Sequence, residues 1–256
     1  MSEANTKKPV EKIKKGVEKA VRAESASAPT RRYRAFVFQS VLVVIACAFG
    51  ALTFMVKTTP SFATDLWITR SIQAINFPFF APLMLATSWA GFGPQVVILT
   101  ILIIVLILSL GLYWESVMAL VAAILSTGIN LLVKDWIQRP RPTIAVVNVI
   151  ETLKSYSFPS GHVMYYLGFL GFIGFLVFSL LKPSIKRTAL LVLIGVPIAL
   201  IGFSRVYMGE HWASDVLGSY LLGTLTLVAT IQIYRWGKTR FFVHQPVAPA
   251  AGPQTS

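Results

Sequence analysis

The chain has 256 residues, of which 55% are hydrophobic and 13% are charged. A soluble domain of this length would need more charge to cover its surface, so the composition excludes an ordinary soluble protein. The net charge of +13 does not indicate nucleic-acid binding, because much of the basic charge is gathered in one terminal segment.

That segment is the N-terminal tail, residues 1–34, which holds ten Lys or Arg and four Glu. Its stretch VEKIKKGVEKAV places Val10, Ile13, Val17 and Val21 near one helical face, with lysines around the remainder. Such a helix would bind an anionic lipid surface, at about 1 kcal/mol for each basic residue close to it. A solvated, disordered tail fits the composition equally well. A cleaved secretory signal is not expected, because the apolar run begins only after Arg34 and is long enough to span a membrane.

Six apolar blocks follow the tail, and about 20 such residues can cross the hydrocarbon core of a bilayer. Their ranges are 35–56, 94–114, 116–133, 163–181, 189–203 and 216–234. The fifth block is short, and we expect it to extend toward Arg205. We therefore predict an all-α membrane protein with a six-helix domain over residues 35–235 and a C-terminal tail over residues 236–256. The single cysteine, Cys47, excludes an internal disulfide and is expected to face lipid or to pack as a small residue.

The segment between the first two blocks, residues 61–93, is mixed in character. It is interrupted by Pro78, Pro82 and two glycines. This pattern predicts short helices that rest at the membrane interface on the outer side, and residues 80–91 could instead dip inward as a re-entrant segment.

The basic residues also predict the orientation. With six spans, both termini lie on one side, and Lys and Arg are enriched on the cytoplasmic side. Placing the termini inside puts 16 of the 23 Lys and Arg on that side. We therefore expect cytoplasmic termini in the plasma (inner) membrane. The seven outer basic residues are Lys57, Arg70, Lys134, Arg139, Arg141, Lys154 and Arg205.

Three polar clusters lie at the outer ends of four predicted spans. In KDWIQRPRP, Lys134 and Arg141 are separated by six residues, and the prolines favour an extended loop. In PSGH, the amides from Ser160 to His162 would point outward at a helix N-terminus, which attracts anions. In SRVYMGEHWASD, His211 and Asp215 are four apart. If that stretch is helical, the two side chains lie on one face, where the carboxylate can hold one imidazole nitrogen.

Together these residues have the chemistry that a phosphoryl group requires. Fixed cations neutralise its oxygens, one histidine held by a carboxylate can attack phosphorus, and a second histidine can protonate the leaving oxygen. Each residue also has an ordinary interpretation as a snorkelling base, a helix cap or an interfacial ion pair. Their common position at one membrane face favours the functional interpretation. We expect Arg139 to be a loop or lipid-facing charge, Glu210 a solvated residue at the rim, and His244 incidental.

The pattern Lys134-x6-Arg141-Pro142, Pro159-Ser160-Gly161-His162 and Ser204-Arg205-x5-His211-x3-Asp215 resembles the signature of the type 2 phosphatidic acid phosphatase family. That family is the membrane branch of the superfamily that includes the vanadium haloperoxidases. All eleven fixed letters are present in order.

The resemblance implies catalytic roles for three residues. His211 would form a phosphohistidine, Asp215 would orient it, and His162 would serve as general acid and then as the base for water. It further implies phosphate binding by Lys134, Arg141, Ser160, Gly161 and Arg205, and it implies no metal or other cofactor. Independently, the outer loops lack a cluster of Asp and Glu suited to Mg²⁺.

The expected substrate is a membrane lipid carrying a phosphate or diphosphate: polyprenyl diphosphate, phosphatidylglycerophosphate or phosphatidate. Transfer of the phosphoryl group to another lipid or sugar could use the same phosphohistidine. A non-enzymatic lipid-binding or transport protein is the remaining alternative, because fold alone does not establish activity. A haloperoxidase is not expected, since six spans would be unusual in that soluble branch.

Overall fold

The computed structural model describes residues 28–242, and within this range the chain forms helices and no strands. The helices are α1 (Ala28–Thr58), α2 (Ala63–Gln73), α3 (Phe80–Trp89), α4 (Gly93–Ser109), α5 (Tyr113–Ile137), α6 (Gly161–Leu180), α7 (Ile185–Tyr207) and α8 (Ala213–Phe241). A π-helical turn, Tyr166–Leu170, lies inside α6. The predicted all-α class is confirmed. The basic stretch 10–21 and His244 lie outside the described residues, so their interpretation stays a prediction.

Five helices in the described range are long and apolar enough to cross a membrane: α1, α5, α6, α7 and α8. The sixth candidate is a bent pair, because α3 and α4 meet at 64° and qualify only when taken together. The predicted polytopic bundle is therefore confirmed with five or six spans, and the bent pair has the geometry of either a broken span or a re-entrant segment. Cys47 lies exposed on α1.

Several predicted boundaries were wrong at the helix ends. The second block was expected to run to Trp114, but α4 ends at Ser109 and Trp114 lies in the first turn of α5. Gly111 separates the two helices with φ at +76°, a conformation that glycine adopts without steric cost. The fifth block does extend past Arg205, as expected, and α8 continues beyond residue 234 to Phe241.

The chain divides into two compact units, residues 1–44 and 45–256. The described part of the first is the beginning of α1. In the second, α5 and α6 pack closely around Met118, Ala122, Phe169 and Phe172, and Tyr234 of α8 joins them. Gly168 permits this approach, since a side chain there would collide with Ser126. The packing brings together the end of α5 and the beginnings of α6 and α8.

Candidate active site

A cavity of about 280 Å³ lies where α5 and α7 end and where α6 and α8 begin. Six of the eight predicted site residues line it: Lys134, Arg141, Gly161, His162, Arg205 and His211. The other two, Ser160 and Asp215, are completely buried next to lining residues. Residues from four separate helix ends and their loops therefore meet at one cavity, as the positions of the three clusters predicted.

The Asp215 carboxylate lies behind His211, with its Oδ2 at 3.5 Å from His211 Nδ1. The same oxygen accepts hydrogen bonds from the Trp212 amide at 2.9 Å and from the Ser157 hydroxyl. The two residues face each other as expected, but they do not share a helical face. Helix α8 begins at Ala213, so His211 precedes it, and Asp215 reaches back from the first turn as a capping residue.

The ring nitrogens of His211 have different surroundings. Nε2 lies 3.2 Å from Nη1 of Arg141. Because a guanidinium can only donate, Nε2 accepts and the ring proton belongs on Nδ1, facing Asp215. Burial lowers the pKa of His211 well below its ordinary value, and the nearby cations of Arg141, Lys134 and Arg205 lower it further. At neutral pH the imidazole therefore keeps an unprotonated Nε2 on its Arg141 side.

Arg141 and Lys134 are anchored by the loop that joins α5 to α6. Arg141 donates from Nε to the Ser155 carbonyl at 2.7 Å and from Nη1 to the Glu210 carbonyl at 2.5 Å. Lys134 Nζ donates to the Tyr156 carbonyl at 2.9 Å. Burial lowers the pKa of Arg141 to about 10, so it remains a cation at neutral pH. Both positive charges are thus held in place beside the cavity before any anion arrives.

Arg205 is fully buried, and its guanidinium contacts Ser88 and Glu210. Its Nη1 donates to Ser88 Oγ at 3.1 Å, and its Nη2 forms an ion pair with Glu210. The expectation that Glu210 would be solvated was wrong, because this residue is only 1% exposed. The turn that carries it packs against the α5–α6 loop, where the Ile150 amide donates to the Met208 carbonyl at 3.0 Å.

Arg139 also contradicts its prediction, since it is 1% exposed and faces the interior. Helix α5 ends at Ile137, and the capping residue Gln138 adopts a left-handed conformation with φ at 57°. After this turn, Arg139 binds Asp215 from one side and Asp65 of α2 from the other. The sequence analysis missed Asp65 as well. Its signal was that it is the one acidic residue in the mixed segment 61–93.

His162, at the start of α6, also lines the cavity. Its ring packs edge-on against Phe92, with centroids 4.8 Å apart, and Gly91 leaves room for it. Nε2 of His162 is buried and has no hydrogen-bond partner among residues 28–242. This nitrogen is available to exchange a proton with a bound molecule.

The prediction that the amides from Ser160 to His162 point outward toward an anion is wrong for Ser160. The Ser160 amide donates to Ser219 Oγ at 2.6 Å, so it is already satisfied inside the protein. The Ser160 hydroxyl, in contrast, is buried and finds no partner in the described part of the chain. Asn130, which the sequence analysis missed, lines the cavity one helical turn before Lys134 and donates to the Pro159 carbonyl at 3.0 Å. Its spacing of four from Lys134 was the available signal.

Chemically, the cavity combines an unprotonated imidazole, a carboxylate behind it, three cations and a second imidazole. Such a set can bind an anion with several oxygens and can attack its central atom. In the range 28–242 no three His, Cys, Asp or Glu side chains are grouped to hold a metal ion. The metal independence of the reaction stays a prediction.

A multi-span helical bundle that carries such a site at one end is a membrane phosphatase. The model of the PAP2 superfamily matches residues 115–238, which include all three motifs. The chain is 30% identical over 186 residues to phosphatidylglycerophosphatase B of Bacillus subtilis (strain 168), covering 69% of this chain and 86% of that protein. This chain belongs to the PAP2 superfamily.

Other known proteins agree with this assignment. Undecaprenyl-diphosphatase of Sulfolobus acidocaldarius is 30% identical over 108 residues, or 42% of this chain and 43% of that protein. The crystal structure of the transmembrane PAP2-type phosphatidylglycerolphosphate phosphatase of Bacillus subtilis superposes with a TM-score of 0.66 at 26% identity, covering 76% of this chain and 96% of that one. LpxE of Aquifex aeolicus shares the fold, with a TM-score of 0.53 at 22% identity over 68% of this chain and 98% of its own. The predicted family and the predicted phosphatase activity are confirmed.

Proposed function

We propose that this protein is a metal-independent lipid phosphatase that forms a phosphohistidine on His211. The observation that carries the proposal is the environment of the His211 ring. Nδ1 faces Asp215 at 3.5 Å. Nε2 accepts a hydrogen bond from Arg141 at 3.2 Å and carries no proton itself. A buried imidazole in this state is a nucleophile directed at a site of positive charge.

In the first step, Lys134, Arg141 and Arg205 bind the phosphoryl oxygens, with the Ser160 hydroxyl and the close approach at Gly161 adding to the cradle. Nε2 of His211 attacks phosphorus, so a P–N bond forms while the bond from phosphorus to the lipid oxygen breaks. Protonated His162 gives its Nε2 proton to that oxygen, and the lipid leaves as an alcohol or, from a diphosphate, as a monophosphate. The ring of His211, now cationic, is stabilised by Asp215.

In the second step, neutral His162 takes a proton from water, and the resulting hydroxide attacks the phosphohistidine. The P–N bond breaks, inorganic phosphate leaves, and the electron pair returns to Nε2 of His211. His162 ends protonated, ready for the next cycle. Because the reaction needs one residue as acid and then as base, the lone buried Nε2 of His162 fits both parts.

The substrate is proposed to be a membrane lipid phosphate or diphosphate. The cavity has an apolar side formed by Phe92, Val96 and Tyr165, which suits a lipid leaving group. The names of two relatives, phosphatidylglycerophosphatase B and undecaprenyl-diphosphatase, support phosphatidylglycerophosphate and polyprenyl diphosphate as candidates. Phosphatidate is the third.

The active site is proposed to face the outside of the plasma membrane, with both termini in the cytoplasm. Lys154 lies exposed in the α5–α6 loop, and Cys47 is the only natural cysteine. Lys154→Cys in a Cys47→Ser background should react with an impermeant thiol reagent in intact cells. Protection until the membrane is opened would reverse the proposed orientation.

The activity is tested with purified protein in detergent and EDTA, offered each of the three candidate lipids. We expect phosphate release by the wild type and none by His211→Ala. Rapid quenching should trap acid-labile phosphate on the wild-type protein and not on the variant. A phosphorylated lipid or sugar acceptor without free phosphate would identify a transferase instead, and no turnover of any of the three lipids by folded protein would refute them as substrates.

A further inference from the structure

A chain of alternating charges runs from helix α2 to the proposed nucleophile. Arg139 Nη2 lies 2.8 Å from Asp65 Oδ2, and Arg139 Nη1 lies 2.5 Å from Asp215 Oδ1. Asp215 in turn faces His211. Asp65 and Arg139 are each only 1% exposed, and Asp215 is completely buried. None of the proposed chemical steps uses Asp65 or Arg139.

Arg139 is committed to this chain and does not serve the cavity. Its Nε donates to the Pro60 carbonyl at 2.9 Å, and its Nη1 also donates to Ser214 Oγ at 2.7 Å. With the two carboxylates, four of its five donor hydrogens have partners inside the protein. Arg139 is also absent from the cavity lining. Its positive charge therefore acts on Asp215 and not directly on a phosphate.

Asp65 is held as firmly as Arg139. Its Oδ1 accepts from the Ser214 amide at 2.8 Å, and its Oδ2 accepts from the Ser214 hydroxyl at 2.7 Å. Ser214 immediately precedes Asp215 in the first turn of α8. The Asp65 carboxylate thus fixes the backbone beside Asp215 and, through Arg139, one oxygen of Asp215 itself.

The charge count explains why two carboxylates are present. Asp215 with Arg139 alone would form a neutral pair, which could do little for a cationic imidazole ring beside it. A second carboxylate, Asp65, leaves the group of three with a net charge of −1. Buried ion pairs are costly unless their hydrogen bonds are complete, and the bonds to Ser214 and Pro60 meet that requirement.

We propose that Asp65 and Arg139 are positioning residues that hold Asp215 in place behind His211 and keep the group of three at a net charge of −1. Their role rests on the proposed function of His211 as the nucleophile. It adds to that function an ion pair between Asp65 of α2 and Arg139, which follows the end of α5. Helix α2 would then take part in the reaction although it does not line the cavity.

The first test is Asp65→Asn, which keeps the shape of the side chain and removes its charge. Partners that orient a reacting group typically contribute about 10- to 100-fold in activity. We expect a loss of kcat in that range, with KM nearly unchanged because the phosphate-binding cations remain. The matched control is Glu115→Gln. Glu115 is also a buried carboxylate in the first turn of a helix with a basic partner, Lys238, but it lies at the other end of α5.

The second test measures kcat/KM as a function of pH. The fall of kcat/KM on the acid side of this profile, its acid limb, reports protonation of His211 in the free enzyme. Besides this group of three, the charged and titratable residues facing His211 are Lys134, Arg141, Arg205 and His162. Asp65→Asn removes a negative charge, so the cationic ring forms less readily and the limb moves to lower pH. Arg139→Gln removes a positive charge and moves the limb to higher pH.

The double variant Asp65→Asn/Arg139→Gln restores the net charge of −1, carried by Asp215 alone. We expect its acid limb to return to the wild-type position and its loss of kcat to be smaller than the product of the two single losses. Arg139→Lys keeps the charge without the forked geometry, so it should lower kcat and leave the limb in place.

Two results would overturn the inference. One is an equal loss of activity in Asp65→Asn and Glu115→Gln, which would mark a general packing defect. The other is an acid limb that moves in neither single variant. If Asp65→Asn does not fold, Arg139→Lys and Arg139→Gln still decide between these outcomes. A wild type that forms no phosphohistidine would instead refute the proposed function, and the two failures are therefore distinguishable.

Discussion

The two ends of the α5–α8 helix pair both contain buried charge, and they use it differently. At the N-terminal end of α5, Glu115 pairs with Lys238 and accepts from Tyr234 at 2.9 Å. Every one of these groups has a partner, and Lys238 keeps 40% of its side chain exposed. At the other end, Lys134, Arg141 and Arg205 converge on a cavity whose lining includes no Asp or Glu. Glu210, which pairs with Arg205, does not line it.

Unsatisfied polar atoms distinguish the two ends more clearly than charge does. Seven residues in the range 28–242 have buried side-chain atoms without hydrogen-bond partners, and five of them belong to the cavity end: Ser160, His162, Arg205, Glu210 and His211. None belongs to the Glu115 group. Among these atoms, His211 Nδ1 faces Asp215, and Arg205 Nη2 forms an ion pair with Glu210. The Ser160 hydroxyl and His162 Nε2 have no partner of either kind in the described residues. Because unpaired buried groups cost free energy, these two mark a place prepared for a ligand. The Glu115 group is a structural brace between α5 and α8.

The largest expected effect is that of His211→Ala. Loss of the nucleophile should reduce phosphate release by about 10⁴-fold or more, as in other enzymes that form covalent intermediates. Initial rates of phosphate release with a saturating lipid substrate would measure it. Residual activity within tenfold of the wild type would show that His211 is not the nucleophile.

His162→Gln is expected to lower kcat by about 10²- to 10⁴-fold, the usual contribution of a general acid and base. A substrate with a good leaving group, such as an aryl phosphate, needs little protonation. With such a substrate the variant should still form the phosphohistidine but hydrolyse it slowly, so the labelled intermediate should accumulate in a quench experiment. Equal slowing for lipid and aryl substrates, without accumulation, would contradict the role of His162.

Arg141→Gln should weaken the site by about 10- to 100-fold in kcat/KM, because a charged hydrogen bond to phosphate contributes about 1.5–3 kcal/mol. Burial and, after it, the Arg141 cation at 3.2 Å keep the pKa of His211 low. Removal of the cation lets that pKa rise toward the ordinary value, so the acid limb of kcat/KM should move to higher pH. A pH profile measured in parallel with wild type would reveal the shift, and a limb that moved to lower pH would have the wrong sign.

Glu115→Gln should have the smallest effect on activity. The glutamine keeps an oxygen that can accept from Lys238 and Tyr234 but removes the negative charge that pairs with Lys238, which should lower stability by about 1 kcal/mol because Lys238 is partly solvated. The thermal midpoint in detergent should fall, while kcat per folded molecule stays at the wild-type value. A large loss of kcat with an unchanged midpoint would mean that the brace end also takes part in function.

Some of the site was predictable because its residues sit at regular spacings beside apolar blocks. Lys134, His162, Arg205 and His211 each stand at or beside the end of a hydrophobic run, and consecutive spans must place such ends on the same membrane face. Arg139 was misassigned because nothing near it in sequence satisfies it. Glu210 was misassigned although its partner Arg205 is only five positions away, because that spacing spans a turn and has no helical period. The partners of Arg139, Asp65 and Asp215, are 74 and 76 positions away. The left-handed turn at Gln138 and the packed turn before His211 bury these two charges, and neither turn has a recognisable pattern.

The sequence by itself determined that this is a polytopic helical membrane protein of the PAP2 superfamily, because hydrophobic length and motif spacing are local properties. Only the tertiary structure decided that α3 and α4 form a bent pair, that His211 precedes α8 and that Arg139 faces inward. It also decided which nitrogen of the His211 ring carries the proton, since that depends on Arg141 lying on one side of the ring and Asp215 on the other. Such choices come from contacts between distant segments, where burial requires each charge to find a partner.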